Sequence, residues 1–276
     1  MARRASIDGV RLATLGTAAL AYVIMLAPIA AVVWLSFFDS DIIAVPPKGY
    51  SLASYEKLLG SSEFVDGLRL SVVVAVSATA IAVILGMLAA IGIVRGRFPG
   101  RDWLATFFLM PLTVPGVVLG LAIYIFFFKL GATLGFRVVG TATALVLAHV
   151  VLTLPWTIRF TSVGLAAIDR NLEDAAMTLG ARPLETFLHV TLPLMRPSLV
   201  AASIFAFLTS YNALEISLFL VGPGRTTIPI VLLQRIAWNF DPTVAAMATV
   251  QVAISAVALL ALTRVVGADR IFGTQR

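Results

Sequence analysis

Long apolar runs separated by short polar segments dominate this chain. A transmembrane helix needs about 20 consecutive apolar residues, and six stretches of the sequence reach or approach that length. Glu215 is the one Asp, Glu, Lys or Arg residue that falls inside them. The predicted spans are 12–38, 70–94, 104–128, 138–158, 199–224 and 243–263. We therefore predict an all-α fold in which residues 1–276 form one polytopic membrane domain with six transmembrane helices.

Two of these spans contain residues with a distinct structural role. Pro111 and Pro115 predict a locally broken helix in the third span, because proline lacks the N–H group that a helix uses. Gly116 and Gly120 have the small-xxx-small spacing that lets helices approach closely. In the fourth span we expect His149 to be a hydrogen-bonded core residue rather than a proton relay.

The composition agrees with a membrane protein. The chain is 60% hydrophobic and only 12% charged, whereas soluble domains carry roughly 25% charged residues. Such a chain cannot cover its own surface with polar groups, so we expect it to lie in a lipid bilayer. The first span is longer than the roughly 7–15 apolar residues of a secretory signal, and we interpret it as an uncleaved helix.

The distribution of basic residues predicts the orientation. With the N terminus inside, most Lys and Arg residues fall in cytoplasmic segments, as the positive-inside rule requires. The residues on the other side are Lys48, Lys57, Arg69, Lys129, Arg137, Arg225 and Arg235. We therefore predict that both termini are cytoplasmic. Arginines beside anionic headgroups also account for the net charge of +6 without a nucleic-acid partner.

The predicted cytoplasmic loop 159–198 is longer than neighbouring membrane helices need and contains two helical patterns. In the first pattern, apolar residues recur at i, i+3, i+4 and i+7, the spacing of one helix face. They are Leu172, Ala175, Ala176 and Leu179, with Glu173, Asp174 and Thr178 on the other sides. We expect Asp169 or Asn171 to cap this helix and Gly180 to end it in a left-handed turn. A second helix is expected to begin at Pro183.

Pro193 and Pro197 are expected to separate this second helix from the fifth span. For the first helix, residue chemistry alone leaves two interpretations: it lies in the headgroup layer, or it inserts into a groove of another protein. Helices that bind membrane surfaces prefer bulky apolar residues opposite a basic face. The narrow apolar face, half of it alanine and flanked by acids, favours the groove.

Part of this loop resembles a known family. Asp174-Ala175-Ala176, then Gly180, then Val190-Thr191-Leu192-Pro193 resembles the EAA loop of the membrane subunits of binding-protein-dependent ABC importers. The family pattern is E-A-A-x3-G-x9-I-x-L-P. This sequence keeps every spacing, with Asp174 in place of Glu and Val190 in place of Ile.

Other segments resemble one subgroup of that family, which transports polyamines and related amines or phosphonates. The similar segments are 46–59 (PPKGYSLASYEKLL), 217–224 (SLFLVGPG), 241–249 (DPTVAAMAT) and 265–273 (VVGADRIFG). The resemblance implies a permease that passes a small solute, a polyamine or related amine, into the cytoplasm by alternating access. Aminoalkylphosphonate, opine and ferric iron are alternative solutes.

The resemblance also implies a location in the bacterial inner (cytoplasmic) membrane, together with partners and residue roles. The partners would be a dimer of ATP-binding cassette ATPases, a second permease subunit, an extracytoplasmic solute-binding protein and membrane lipids. The loop 169–193 would carry a coupling helix, between the fourth and fifth transmembrane helices, that docks in a cleft of the ATPase. The residues assigned to ATPase coupling are Leu172, Glu173, Asp174, Ala175, Ala176, Leu179, Gly180 and Pro193.

Candidates for the translocation pathway lie near the fifth span. Glu215 is an intramembrane acid, and such residues usually face a cavity or a partner. It would contact a cationic solute in transit, or else lie near the outer mouth or pair with Arg225 or Arg235. Tyr211 and Asn212 are the other pathway candidates.

The sequence gives no sign of enzymatic chemistry. None of the three lysines follows a glycine, so the G-K-[ST] phosphate loop is missing and ATP hydrolysis is expected from a partner. No catalytic residue, metal site or cofactor is predicted. An ion-coupled secondary transporter is a less favoured alternative, since only Glu215 and His149 would be available for coupling. The hypothesis of a membrane-embedded enzyme is not favoured either.

Overall fold

The computed structural model describes residues 2–40, 43–238 and 241–266. The helices in these residues are α1 Ala2–Leu35, α2 Ala53–Leu59, α3 Ser62–Arg95, α4 Arg101–Leu109, α5 Gly116–Leu134, α6 Ala142–Ala166, α7 Arg170–Thr178, α8 Pro183–Thr186, α9 Leu192–Tyr211, α10 Leu214–Leu220, α11 Ile228–Trp238 and α12 Pro242–Val266. A 3₁₀ turn (Met110–Thr113) follows α4, and a π-helical segment (Phe187–Thr191) joins α8 to α9.

Within the described residues, six helical segments are long and apolar enough to cross a membrane. They are Thr14–Leu35, Ser62–Arg95, Gly116–Leu134, Ala142–Ala166, Pro183–Tyr211 and Pro242–Ala261. The prediction of an all-α fold with six transmembrane helices is confirmed for this part of the chain.

The third span lies later in the chain than the predicted 104–128. The chain breaks after α4, passes through the 3₁₀ turn and starts α5 at Gly116, with Pro115 as the N-cap residue. The expected break at Pro111 and Pro115 is confirmed. Because α5 continues past Lys129 to Leu134, where Gly135 takes a left-handed conformation, the crossing helix covers 116–134.

The fifth span lies earlier than the predicted 199–224. The expected interruption at Pro193 and Pro197 was wrong, since α8, the π-helical segment and α9 form one continuous helical stretch. A proline removes an N–H and pushes on the carbonyl of residue i−4. The wider π turn immediately before Pro193 gives that carbonyl room. The stretch ends at Tyr211, so Glu215 lies in the first turn of the separate helix α10.

The chain divides into two compact units, and each is described by itself. The smaller unit covers Met1–Ser62 and Leu232–Ala253. In it, side-chain hydrogen bonds connect the end of α1 to α2 and to the segment before it. Trp34 Nε1 donates to the Tyr50 hydroxyl at 3.1 Å, and the hydroxyls of Ser36 and Tyr55 are 2.7 Å apart. Phe38 is buried, and its ring packs edge-to-face on Trp34 and Tyr50.

The larger unit covers Glu63–Val231 and Ile254–Arg276, and its described core forms around α6. Two glycines allow α6 to approach its neighbours closely. A Cβ built at Gly86 of α3 would lie 2.8 Å from Thr157 Cβ, and one built at Gly164 of α6 would overlap the Ser198 side chain of α9. In lipid, helix association depends on such close packing, because the apolar tails supply no hydrophobic drive.

His149 fastens α6 to α9 and α10. It is 2% exposed, with Nδ1 2.7 Å from Ser210 Oγ and Nε2 3.1 Å from Ser217 Oγ. Ser217 already donates its one hydroxyl proton to the Ala213 carbonyl, so it accepts a proton from His149 Nε2. In a neutral ring, Nε2 then carries the proton and Nδ1 accepts from Ser210. The prediction of a hydrogen-bonded core histidine is confirmed.

The contact at Gly164 is a test of this packing. We expect Gly164→Ala to destabilise the protein by about 1–3 kcal/mol, because an added methyl group overpacks the contact with α9. Thermal unfolding of the detergent-solubilised protein measures the change. The matched control is Gly92→Ala in α3, where an added Cβ has nothing within 4 Å. Equal melting temperatures for the two variants would contradict the packing, whereas Ser198→Gly should restore part of the loss.

The His149 hydrogen bonds are tested by a double-mutant cycle. His149→Leu leaves the buried Ser210 hydroxyl without its acceptor, which costs about 1–3 kcal/mol. Ser210→Ala should add little to that loss, because both variants break the same interaction. Additive losses in melting temperature would show that the two side chains act independently.

Candidate functional site

The candidate coupling loop is a short helix with well-defined ends. Asp169 is the N-cap residue of α7, and its Oδ1 accepts a hydrogen bond from Asn171 N at 2.9 Å. Gly180 follows the helix with a φ of +98°, which confirms the expected left-handed turn. Ala181 N donates to Ala176 O, and Gly180 N donates to Met177 O. This pair of bonds is the Schellman arrangement, which satisfies carbonyls at a helix end.

The second helix of the loop begins where the sequence predicts. Pro183 is its first residue, and Glu185 Oε2 accepts from the backbone N–H of Arg182 at 2.8 Å. Pro193, assigned to coupling in the sequence, lies in the first turn of α9 behind the π-helical segment. The turn between α7 and α8 is therefore held by hydrogen bonds on both sides of Gly180.

The apolar face of α7 is largely uncovered in this chain. Leu172 is 50% exposed and Leu179 89% exposed, and Ala175 between them is also exposed. Ala176 is half-buried at the edge of this face, and Asp174 is exposed beside it. We call the exposed residues Leu172, Ala175 and Leu179 the outer face of α7. An uncovered apolar face on a capped helix of this length suits a protein groove.

Glu173 points the other way, toward the transmembrane helices. Its Oε2 lies 3.0 Å from Arg95 Nε, and its Oε1 accepts from Arg95 Nη2 at 3.3 Å and from Thr191 Oγ1 at 2.9 Å. Arg95 Nη2 also donates to the Ile168 carbonyl at 3.1 Å. The resemblance assigns Glu173 to ATPase coupling, and no pattern in the sequence predicts its contact with Arg95. Glu173 shares a helix side with Ala176 and Met177, which is the signal that could have shown its direction.

The three pathway candidates lie at the turn between α9 and α10, in different environments. Tyr211 is 1% exposed and stacks on Phe207 with ring centroids 5.6 Å apart. Asn212 is exposed, and its Nδ2 donates to the Leu208 carbonyl at 2.8 Å. Glu215 is also exposed. Asn212 and Glu215 therefore present their side chains at the surface of this chain, and Tyr211 does not.

The Glu215 carboxyl group lies beside the N terminus of α5. A Cβ built at Gly116 would be 3.1 Å from Glu215 Oε2, and one built at Gly120 would be 3.1 Å from Ile216 Cα. The predicted close approach of a helix at these two glycines is confirmed, with α10 as the neighbour. A helix N terminus favours a nearby negative charge, which helps to keep this carboxylate next to α5.

The alternative pairing of Glu215 with Arg225 has no support among the described contacts. Arg225 Nη1 donates to the Gly140 carbonyl at 3.4 Å. Arg235 Nη2 donates to Ser61 Oγ at 3.4 Å within the smaller unit. Among the described residues there is also no cluster of three or more His, Cys, Asp or Glu side chains that would hold a metal ion.

The chain is similar to known transport proteins over most of its length. Residues 82–269 match the family described as the binding-protein-dependent transport system inner membrane component. The chain is 33% identical over 231 residues to the putrescine transport system permease protein PotI of Escherichia coli (strain K12), covering 83% of this chain and 82% of that protein. It is 28% identical over 235 residues to the putative 2-aminoethylphosphonate transport system permease protein PhnV of Salmonella paratyphi A, covering 85% and 87%.

Solved structures show the same fold. A chain of a bacterial ABC transporter involved in the import of the acidic polysaccharide alginate superposes with a TM-score of 0.76. The alignment covers 94% of this chain and 96% of that chain at 13% sequence identity. The chain described here thus belongs to the family of binding-protein-dependent transport system inner membrane components, as a permease subunit of an ABC importer.

Proposed function

We propose that this permease passes a polyamine or a related small amine from an extracytoplasmic binding protein into the cytoplasm by alternating access. A dimer of partner ATPases docks on α7, and a second permease subunit, homologous or identical, completes the pore. The protein lies in the bacterial inner membrane with both termini in the cytoplasm, as its basic residues favour. ATP hydrolysis belongs to the partners.

The outer face of α7 carries this proposal. Leu172, Ala175 and Leu179 leave an apolar stripe uncovered on a helix that is capped at Asp169 and closed at Gly180. The small Ala175 side chain in the middle lets a groove close around the helix. Because both helix ends are fixed by hydrogen bonds, a displacement of α7 is passed on rather than lost in a flexible loop.

The amine as solute is supported by the likeness to PotI and by Glu215. PotI is described as a putrescine transport system permease protein, and a protonated amine would interact favourably with an exposed carboxylate in a membrane. The likeness to PhnV keeps an aminoalkylphosphonate as the alternative solute, with opine and ferric iron behind it. Competition for uptake among labelled putrescine, 2-aminoethylphosphonate and unlabelled solutes distinguishes these classes.

The coupling role is tested by placing a charge on the outer face. Ala175→Arg should abolish co-purification of the ATPase and ATP-dependent uptake in proteoliposomes, because an arginine at that position cannot enter a close apolar groove. The matched control is Ala132→Arg at the exposed far end of α5, which should retain both. Uptake that survives ATP depletion and collapses with the ion gradient would instead identify a secondary transporter.

The pathway role of Glu215 is tested by removing its charge. Glu215→Gln should lower uptake of a cationic amine about tenfold, the effect of losing one charge-assisted interaction, while ATPase association persists. The control is Glu56→Gln, which neutralises an exposed acid before α3. Equal uptake by wild type and Glu215→Gln would remove Glu215 from the pathway.

A further inference from the structure

A compact polar cluster lies on the inner side of α7, opposite its outer face. Arg95 and Glu173 form an ion pair whose side chains are 18% and 14% exposed. The Glu173 carboxylate uses both oxygens, Oε2 toward Arg95 Nε and Oε1 toward Arg95 Nη2 and Thr191 Oγ1. Oε1 accepts both hydrogen bonds, and Oε2 makes the ion-pair contact with Nε, so both oxygens are held in place. A half-buried pair of this kind is poorly screened by water.

The cluster joins four elements that are distant in the chain. Arg95 is the last residue of α3, and Glu173 lies in α7. The Ile168 carbonyl, which Arg95 also binds, follows α6, and Thr191 ends the π-helical segment that leads into α9. The loop is covalently continuous with α6 and α9. For α3, which has no such continuity, the ion pair is a direct side-chain contact with α7.

Apolar packing on this side of α7 is incomplete. A cleft of about 190 Å³ remains beside the ion pair, between α7, α8 and the ends of α3 and α6. Its lining includes Met177, Thr186 and Phe187, and Met177 is itself an exposed residue. Because an open cleft supplies few dispersion contacts, the polar cluster provides much of the attachment of α7 to α3.

We propose that Arg95 is a positioning residue that, through Glu173, makes α3 move together with α7 when the ATPases close. This inference rests on the proposed function, since it assigns the route by which a displacement of α7 reaches a helix outside the coupling loop. The backbone of the loop transmits the displacement of α7 to α6 and α9, and the ion pair transmits it to α3. The close contact at Gly86 then keeps α3 and α6 in register during the movement.

The first experiment separates transmission from docking. In proteoliposomes with the complete transporter and its binding protein, we measure ATPase co-purification, ATP hydrolysis and solute uptake for Arg95→Gln. We expect the ATPase to remain bound and uptake per ATP hydrolysed to fall about tenfold, within the usual range of coupling between sites. An unchanged ratio, or a loss of ATPase binding equal to that of Ala175→Arg, overturns the proposal. Failure of the wild type to bind any ATPase would overturn the proposed function itself.

A second experiment stays informative if Arg95→Gln folds poorly. The chain contains no cysteine, so Arg95→Cys together with Glu173→Cys introduces one unique pair in this subunit. With cysteine-free partners, a short reducible thiol cross-linker replaces the ion pair by a covalent link. We expect the double variant to be uncoupled, cross-linking to restore uptake per ATP, and a reductant to reverse the rescue. A cross-linked transporter that stays uncoupled contradicts the role of this link.

Discussion

The direct packing of α6 against α3 and α9 is the constraint on which the larger unit depends. Gly86 and Gly164 leave no space for a side chain at the two contacts, so the three helices have one relative arrangement. In a bilayer, where apolar surface gains little by leaving lipid, this closeness supplies the dispersion contacts that hold helices together. His149 adds a directional hydrogen-bonded link from α6 to α9 and α10. The helices α3, α6, α9 and α10 therefore form one body that can move as a whole.

A continuous set of contacts leads from the loop toward the candidate pathway. Arg95, Glu173 and Thr191 join α7 to α3 and to the start of α9. The body around α6 continues to α10 through His149 and Ser217, and α10 places Glu215 beside Gly116 of α5. In the proposed function, a movement imposed on the outer face of α7 would displace the environment of Glu215 without a flexible joint in between. Buried polar contacts suit this task because they have discrete geometries.

Much of this fold can be predicted from the sequence, because a helix that crosses lipid needs a long run of apolar residues. The long apolar spans, the break at Pro111 and Pro115 and the turn at Gly180 all follow from residue types in their local context. The interruption predicted at Pro193 and Pro197 was wrong, since the π-helical segment that accommodates Pro193 depends on the neighbouring turn rather than on proline itself. Arg95 and Glu173 are 78 residues apart, and each is typical of a solvated charge. Only the folded backbone brings them together, and the same holds for the burial of Tyr211 against Phe207.

The docking of α7 in a partner is tested most directly by measuring the chemical accessibility of one residue on its outer face. Leu179 is 89% exposed in this chain, and Leu179→Cys would be the sole cysteine of this subunit. We predict rapid labelling by a membrane-impermeant maleimide from the cytoplasmic side when the subunit is alone, and protection when the ATPases are assembled with it. Labelling from the opposite side, or equal labelling with and without the ATPases, would contradict the docking of α7 in a partner.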